Sequence, residues 1–505
     1  MYKIVKADKD AYITDKVVRS VRMFSGNVGS AGTLDLFKLY GMTYSGSTPC
    51  LEKSRILIHF DLDPIRDLLS DGKIDTNDSS FWCKLIMKDV YGGQTTPTNF
   101  AVSVFPLSAS FTEGTGRDVS YYSDYDVCNW LSSSSGVGWY VTGCSLTCDA
   151  STTTPGDYIT SSAGISDTES TQLFVTGDED LEIDVTSVVS ATLAGALHDN
   201  GFRISFENSL EENTLTYFVK RFASRTAYDE SKHPKLVVGY DDSIFDDTQN
   251  MTFDTACDVS LYNYAGGNLS NIVSGSSLTQ ITGDNCLFLK ISTEVSGGYY
   301  DMFFTGSQFS YGSTAASYVT GTYTATVTIP STDSVYRTKI AASSSVKVLP
   351  IWSSLDNSVG YVTGSELTVY SQSRVSHRKQ KNYVVNVLGI RDSHTDDEEV
   401  FVRVNIFDHT SPLIKATRVP VELAGIVVRE VYYQVRDAVS SEVVIPFDDT
   451  KNSTRVSSDS EGMFFTLDAS NLTVGKSYTI DLMIANDGTT TKFMNASPVF
   501  RIESA

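Results

Sequence analysis

Apolar residues along this chain recur mostly at every second position. In "SRILIHFDLDP", Ser54 to Pro64, Ile56, Ile58, Phe60 and Leu62 alternate with Arg55, Leu57, His59 and Asp61. That period places alternate side chains on opposite faces of a strand. The pattern predicts a wall of a sandwich, with the isoleucine side toward the core and Arg55, Leu57, His59 and Asp61 lining the other face. "AYITDKVVRSV" and "AGTLDLFKLYG" read as earlier strands, the second with Leu34, Leu36 and Lys38 on one side. "FWCKLIMKDV" and "FAVSVFPL" follow, and "GFRISFEN" and "HPKLVVGYDD" close a first block near residue 242. One stretch breaks the period. In "DLEIDVTSVVSATLAGALHDNG", Val189, Leu193 and Leu197 share one helical face, Thr186 is placed to cap the helix, and Gly201 stands near its C-terminal cap.

The pattern divides the rest in two. Residues 243–370 hold short alternating strands such as "CLFLKIS", "GYYDMFFTG" and "GTYTATVTIP". Residues 371–505 hold longer ones, "EEVFVRVNIFD" and "VVREVYYQVRDA" among them, suited to an immunoglobulin-like sandwich. No fixed-period repeat links the blocks. The expected fold is therefore mainly β, with three domains in series over 1–242, 243–370 and 371–505. Composition agrees, since 27 Tyr and 25 Phe accompany abundant Ser, Thr and Val, residue types that fit a pleated, half-buried surface.

Charge narrows the partners. With 39 basic and 61 acidic residues the net charge is −22, which repels nucleic acid unless a local basic patch intervenes. The one concentrated basic patch is Arg374, Arg378, Lys379 and Lys381, a solvated linker or a docking site for an acidic partner subunit. No apolar run is long enough to span a membrane. No signal-type apolar segment follows Met1 either, so synthesis in the cytosol is expected.

Candidate chemistry is sparse. Phosphate-binding glycine motifs, H-E-x-x-H and a G-x-S-x-G elbow are absent. The six histidines, His59, His198, His233, His377, His394 and His409, share no signature spacing. "CSLTC" (Cys144, Cys148) is the only close cysteine pair; buried thiols or a disulfide both fit it. Carboxylates cluster at "GDEDLEID", where Asp178, Asp180 and Asp184 are candidate ligands for a structural calcium or part of a solvated acidic face. Asp124 and Asp126, and "HTDDEEV" from His394, offer the same alternatives. Residues 110–170 read as a long polar segment carrying Trp130 and Trp139. These rings either pack on the end of the sandwich or, with Tyr121, Tyr122 and Tyr125, form a platform for stacking sugars. No catalytic residue and no cofactor emerge from these patterns.

Two stretches carry a family resemblance. "DAYIT" (10–14), "NVGSAGTLDL" (27–36), "SRILIHFDLDPI" (54–65), "LIMKDVYGGQTTPTNFAVSVFPL" (85–107), "DLEIDVTSVVSATL" (180–193), "NGFRISFEN" (200–208) and "HPKLVVGYDD" (233–242) together resemble the DNRLRE-type β-sandwich, a carbohydrate-binding-module-like domain of large surface proteins. The hexapeptide that names the family is absent, and the family has no agreed catalytic residues to carry over. Arg429 to Ile484, with Tyr433-x-x-x-Asp437, Ile445-Pro-Phe-Asp448 and Ser457-x-Asp459-x-x-Gly462-x-x-Phe465, is similar to modules of tailed-phage virion proteins. The resemblance implies a non-enzymatic structural protein of the virion, in the neck or collar, a head decoration or a tail accessory layer. It would assemble with other virion proteins, as a homo-oligomer in a symmetric array. The alternative is a carbohydrate-binding surface adhesin.

Overall fold

A computed structural model describes residues 1–90, 98–119, 127–149, 156–162, 165, 167–248, 251–275, 278–311, 318–343, 345–371, 382–408, 425–459, 461–486 and 489–505. The protein is mainly β, as the alternation predicts, with 50% of the chain in strands and 8% in helices. Its contacts form two compact units. One comprises Tyr2–Asp67 with Phe81–Gly239, and the other Met1, Leu68–Ser80 and Tyr240–Ala505.

The first unit is built on a ten-stranded antiparallel system. Strand Tyr2–Thr14 changes partner at a bulge. Its first half pairs with Lys235–Gly239, and its second half, past the shift between Ala7 and Lys9, pairs with Thr48–Phe60. Strand Thr48–Phe60 likewise pairs along Lys53 to Thr48 with Thr33–Ser45, and along Ile56 to Ile58 with Phe202–Phe206. Strands that change partner at bulges turn the corners of a closed sandwich. An aromatic core fills it. Phe100 stacks on Phe174 at 5.0 Å, Phe206 lies 5.5 Å from both Phe100 and Tyr217, and Phe174 meets Phe222 at 6.4 Å.

The strand around His59 departs from the expected one-sided burial. Ile56, Ile58 and Phe60 are buried, but so are Leu57 at 0% and Arg55 at 4% exposure on the opposite face. The described residues of the 110–170 segment cover that second face. Phe111, Cys128, Trp130, Trp139 and Cys144 pack there against Ala11, Ile13 and Leu57. A polar composition concealed this, because a few large side chains supply the apolar contact.

The helix at Thr186–Leu193 forms where the 3.6-residue period predicts, but its ends differ. Val185 is the N-cap, and Thr186 instead ties the first turn to the neighbouring strand, its Oγ1 accepting from Cys83 N at 2.8 Å. The helix ends at Ala194, before Gly195 at φ +76°. Gly201 serves another purpose: a Cβ there would stand 2.2 Å from the Ile58 carbonyl oxygen. Helices Asp63–Ser70, Asn208–Glu212 and Ser334–Ala342 were not predicted.

The second unit contains two β systems. A seven-stranded sheet runs Cys257–Tyr262, Tyr318–Val327, Gly298–Ser310, Leu287–Val295, Ser345–Ser353 and Gly360–Thr363, with Leu367–Tyr370 also on Ser345–Ser353. Tyr336 of helix Ser334–Ala342 is buried in its core beside Phe253 and Trp352, and Asp333 caps that helix through Val335 N and Tyr336 N. The other system is a two-sheet sandwich. Tyr383–Leu388, Glu399–Asp408, Gly462–Asp468 and Ser457–Asp459 form four strands. Ser393–Thr395, Phe500–Glu503, Ser477–Asn486, Glu430–Asp437 and Val443–Ile445 form the other sheet, with Thr489–Phe493 beside Ser477–Asn486. Tyr433 stacks on Phe465 between them, 4.2 Å apart at 7°. Residues 243–248 tie the two systems together. Ile244 bonds to Ser457 and Ser458, Asp246 N to Ser458 Oγ, and Asp247 N to Asp258 O.

Candidate functional site

Beneath the covering segment of the first unit lies a buried charged centre. Arg55 and Arg203 come to the covered face because each is one residue out of phase with the core-facing Ile56 and Ile204, which pair in register. Glu211 enters from helix Asn208–Glu212. Arg55 donates to Glu211 through Nε at 2.9 Å and through Nη2, and also to the Gly143 carbonyl and to Ser145 Oγ at 2.6 Å. Its guanidinium lies 5.3 Å from the Trp130 ring. Arg203 stacks on Tyr158 at 4.2 Å and has a buried Nε with no hydrogen-bond partner among the described residues. Lys53 stands 3.9 Å from Glu211. Burial pushes the Glu211 carboxyl up, but Arg55, Arg203 and Lys53 outweigh it and hold the group below the usual carboxylate range. An ionised, fully paired carboxylate does not serve as a general acid or base at neutral pH. This centre locks the covering segment onto the sheet.

The two tryptophans belong to that lock. Trp130 is 6% and Trp139 7% exposed. Trp139 donates Nε1–H to the Asn129 carbonyl at 2.8 Å, and a Cβ on Gly143 would stand 2.4 Å from Trp130. Neither ring offers a face to a sugar. Tyr121, Tyr122, Tyr125, Asp124 and Asp126 lie outside the described residues, as do Arg374, Arg378, Lys379, Lys381, His377 and His409. Cys144 is a free thiol, so no disulfide joins it to Cys148, and burial pushes it up to about 12.

His59 sits between Asp8 (Nδ1 to Oδ1, 2.5 Å) and Asp199 (Nε2 to Oδ1, 3.5 Å), and Asp199 is held in turn by Arg66 at 2.7 Å. Hydrogen bonding to Asp199 and Asp8 raises it to about 9, against the opposing effect of burial. A histidine kept protonated by two carboxylates is an ion-pair centre, not a base.

The calcium candidates are spent separately. Asp178 accepts from Thr176 Oγ1, Asp180 from Lys88 Nζ at 3.0 Å and Asp89 N at 2.7 Å, and Asp184 from Thr186 N at 2.8 Å. Their neighbour Glu179 takes three backbone N–H groups. Its carboxyl falls to about 2, since those bonds outweigh burial. Among the described residues no group of three or more His, Cys, Asp or Glu side chains is placed to hold a metal ion.

Sequence reasoning missed the outer face of the four-stranded sheet. Val400, Val402, Val404 and Ile406 point inward, yet the opposite positions of the same strand include Phe401 and Phe407. Val384, Leu388 and Phe401 are 45–48% exposed. Phe401 stacks on Phe464 at 5.3 Å, and Arg403 lies over both rings while bonding Asp459 at 2.7 Å. The signal was present in "VFVRVNIF", which carries Phe401 and Phe407 on the phase opposite the valines. The two edges of this sheet differ. Ser457–Asp459 is covered by residues 243–248, whereas among the described residues no strand pairs with the outer side of Tyr383–Leu388.

No family model matches the chain, and no curated protein matches it. Among solved structures, the crystal structure of chicken CNTN1 FN1-FN3 domains shares 11% identity, over 65% of this chain and 82% of that one, with a TM-score of 0.13. A superposition that loose supports no reading of function.

Proposed function

We propose that this chain is a non-enzymatic structural subunit of a tailed-phage particle, in the neck or collar, a head decoration or a tail accessory layer. It acts by assembling with copies of itself and with adjoining virion proteins in a symmetric array, after synthesis in the host cytoplasm. The observation that carries this reading is the outer face of the sheet Tyr383–Leu388, Glu399–Asp408, Gly462–Asp468, Ser457–Asp459 and its edge strand Tyr383–Leu388, which among the described residues pairs on one side only. Val384, Leu388 and Phe401 are exposed on that face. Large apolar side chains exposed on one sheet face suit a protein contact, and a strand edge is a template for adding a neighbour's strand. The paired state of Glu211 and His59 agrees with a building role. Neither nucleic acid nor membrane is a proposed partner: the net charge is −22, and no helix among the described residues is long and apolar enough to cross a membrane.

The test is particle incorporation. A tagged chain should sediment with assembled particles. Val384→Glu with Leu388→Glu should abolish that while leaving the melting transitions of the free chain in place. Turnover of glycans or peptides by the intact protein, or its absence from purified particles, would defeat the proposal.

A further inference from the structure

Within the second unit, four segments far apart in the chain, 78–80, 241–243, 309–311 and 450–452, meet around a cleft of about 420 Å³. That size is typical of small-ligand sites. One wall is aromatic. Phe309 and Tyr311 are half-buried and meet edge to face at 5.0 Å. The other walls are polar, and part of their hydrogen-bonding capacity is uncommitted. Asp78 and Asp241 each use Oδ1 in a local turn, accepting from Ser80 N at 2.7 Å and from Ser243 N at 2.9 Å, while Oδ2 of each accepts no hydrogen bond among the described residues. Asn452, held at φ +63°, accepts from the Tyr432 hydroxyl at 3.2 Å through Oδ1, and its Nδ2 donates to none of the described residues. Lys451 is engaged by the Ser79 carbonyl.

The lining selects among ligand classes. Two carboxylates against one committed ammonium disfavour phosphate, sulfate and polyanions. Two carboxylates do not complete the 6–8 oxygens a calcium ion takes. A purely apolar molecule would leave the Asp and Asn groups desolvated and unpaired. A neutral polyol meets every condition. Its hydroxyls donate to the two Oδ2 atoms and accept from Asn452 Nδ2, while its C–H face lies against the Phe309–Tyr311 wall. We propose that this cleft is a saccharide subsite for one neutral, hexose-sized unit. It is separate from Trp130 and Trp139, and it does not depend on the assembly reading.

The test is titration of the purified full chain with maltotriose, chitotriose and galactotriose, followed by calorimetry and saturation-transfer NMR. At least one of these sugars should bind. Asp241→Asn keeps the turn-forming Oδ1 and replaces the Oδ2 acceptor. It should weaken binding about tenfold or more, because a hydrogen bond to a charged group is lost. It should keep the parent melting temperature, and Trp130→Phe should bind as the parent does. Failure of all these sugars to bind, undiminished binding by Asp241→Asn, or displacement of the sugar by calcium chloride or inorganic phosphate would overturn the proposal. None of these results bears on particle incorporation.

Discussion

Replacing Glu211 with alanine tests whether the buried charged centre holds the covering segment in place. The side chains of Glu211 and Arg55 are each 5% exposed, and that of Arg203 is 1%. Removing the carboxylate leaves Arg55 without its bidentate partner and Arg203 and Lys53 without their counter-charge. Deleting one member of a buried ion pair costs about 3–5 kcal/mol, mostly the penalty of the charge left behind. With an m-value of about 3 kcal/mol/M for a unit of this size, the urea midpoint should fall by about 1–2 M. Trp82, Trp130 and Trp139 lie in this unit and Trp352 in the other, so tryptophan fluorescence follows mainly the transition in question. The control is Glu182→Ala. That residue pairs with Lys84 at 2.8 Å with side chains 55% and 41% exposed, and such surface pairs contribute about 0–1 kcal/mol. If Glu211→Ala shifts the midpoint no more than Glu182→Ala does, the centre is hydrated or rearranges freely, and the reasoning fails.

Other expectations follow from the same contacts. His59 is raised to about 9 by Asp199 and Asp8, so its stabilising contribution is complete below its ordinary value of 6.5 and disappears as pH rises through about 9. The stability difference between the parent and His59→Gln should shrink across that window, and a constant difference from pH 6 to 10 would refute the pairing. Asp10 is buried with Oδ1 unpartnered, and burial raises it to about 7, aided by nearby Glu113 and opposed by the Arg225 N–H. The folded state therefore holds a proton that the unfolded chain releases at 3.8, so this residue makes stability fall as pH rises from about 4 to 7. Asp10→Asn should remove that slope and melt higher than the parent at pH 8; equal melting there would contradict the assignment. Trp130→Ala should cost about 3–5 kcal/mol, the range for deleting a buried aromatic, and a loss under 1 kcal/mol in urea unfolding followed by circular dichroism would place the ring at the surface.

Alternation in Tyr2–Thr14, Thr48–Phe60, Glu399–Asp408 and Ser477–Asn486 was enough to identify strands and a mainly β protein, because a period of two is local and survives any tertiary arrangement. The helix at Thr186–Leu193 was legible for the same reason, its apolar side chains repeating every turn. What lies across from a strand face was not legible. Arg55, Leu57 and His59 sit on one phase of one strand, yet Arg55 and Leu57 are buried and His59 is clamped between carboxylates. Their partners Glu211, Trp130, Asp8 and Asp199 come from segments whose distance in sequence says nothing about proximity. The roles of Trp130 and Trp139 were open in the sequence and were decided by packing. So were those of Asp178, Asp180 and Asp184, whose clustering in the chain suggested convergence although each turns to a different donor. Sequence alone determined the strands and the charge of this protein. Tertiary structure decided which polar groups are paired, which apolar face stays open, and which four distant segments enclose a cleft, because burial and hydrogen-bond satisfaction belong to contacts between elements.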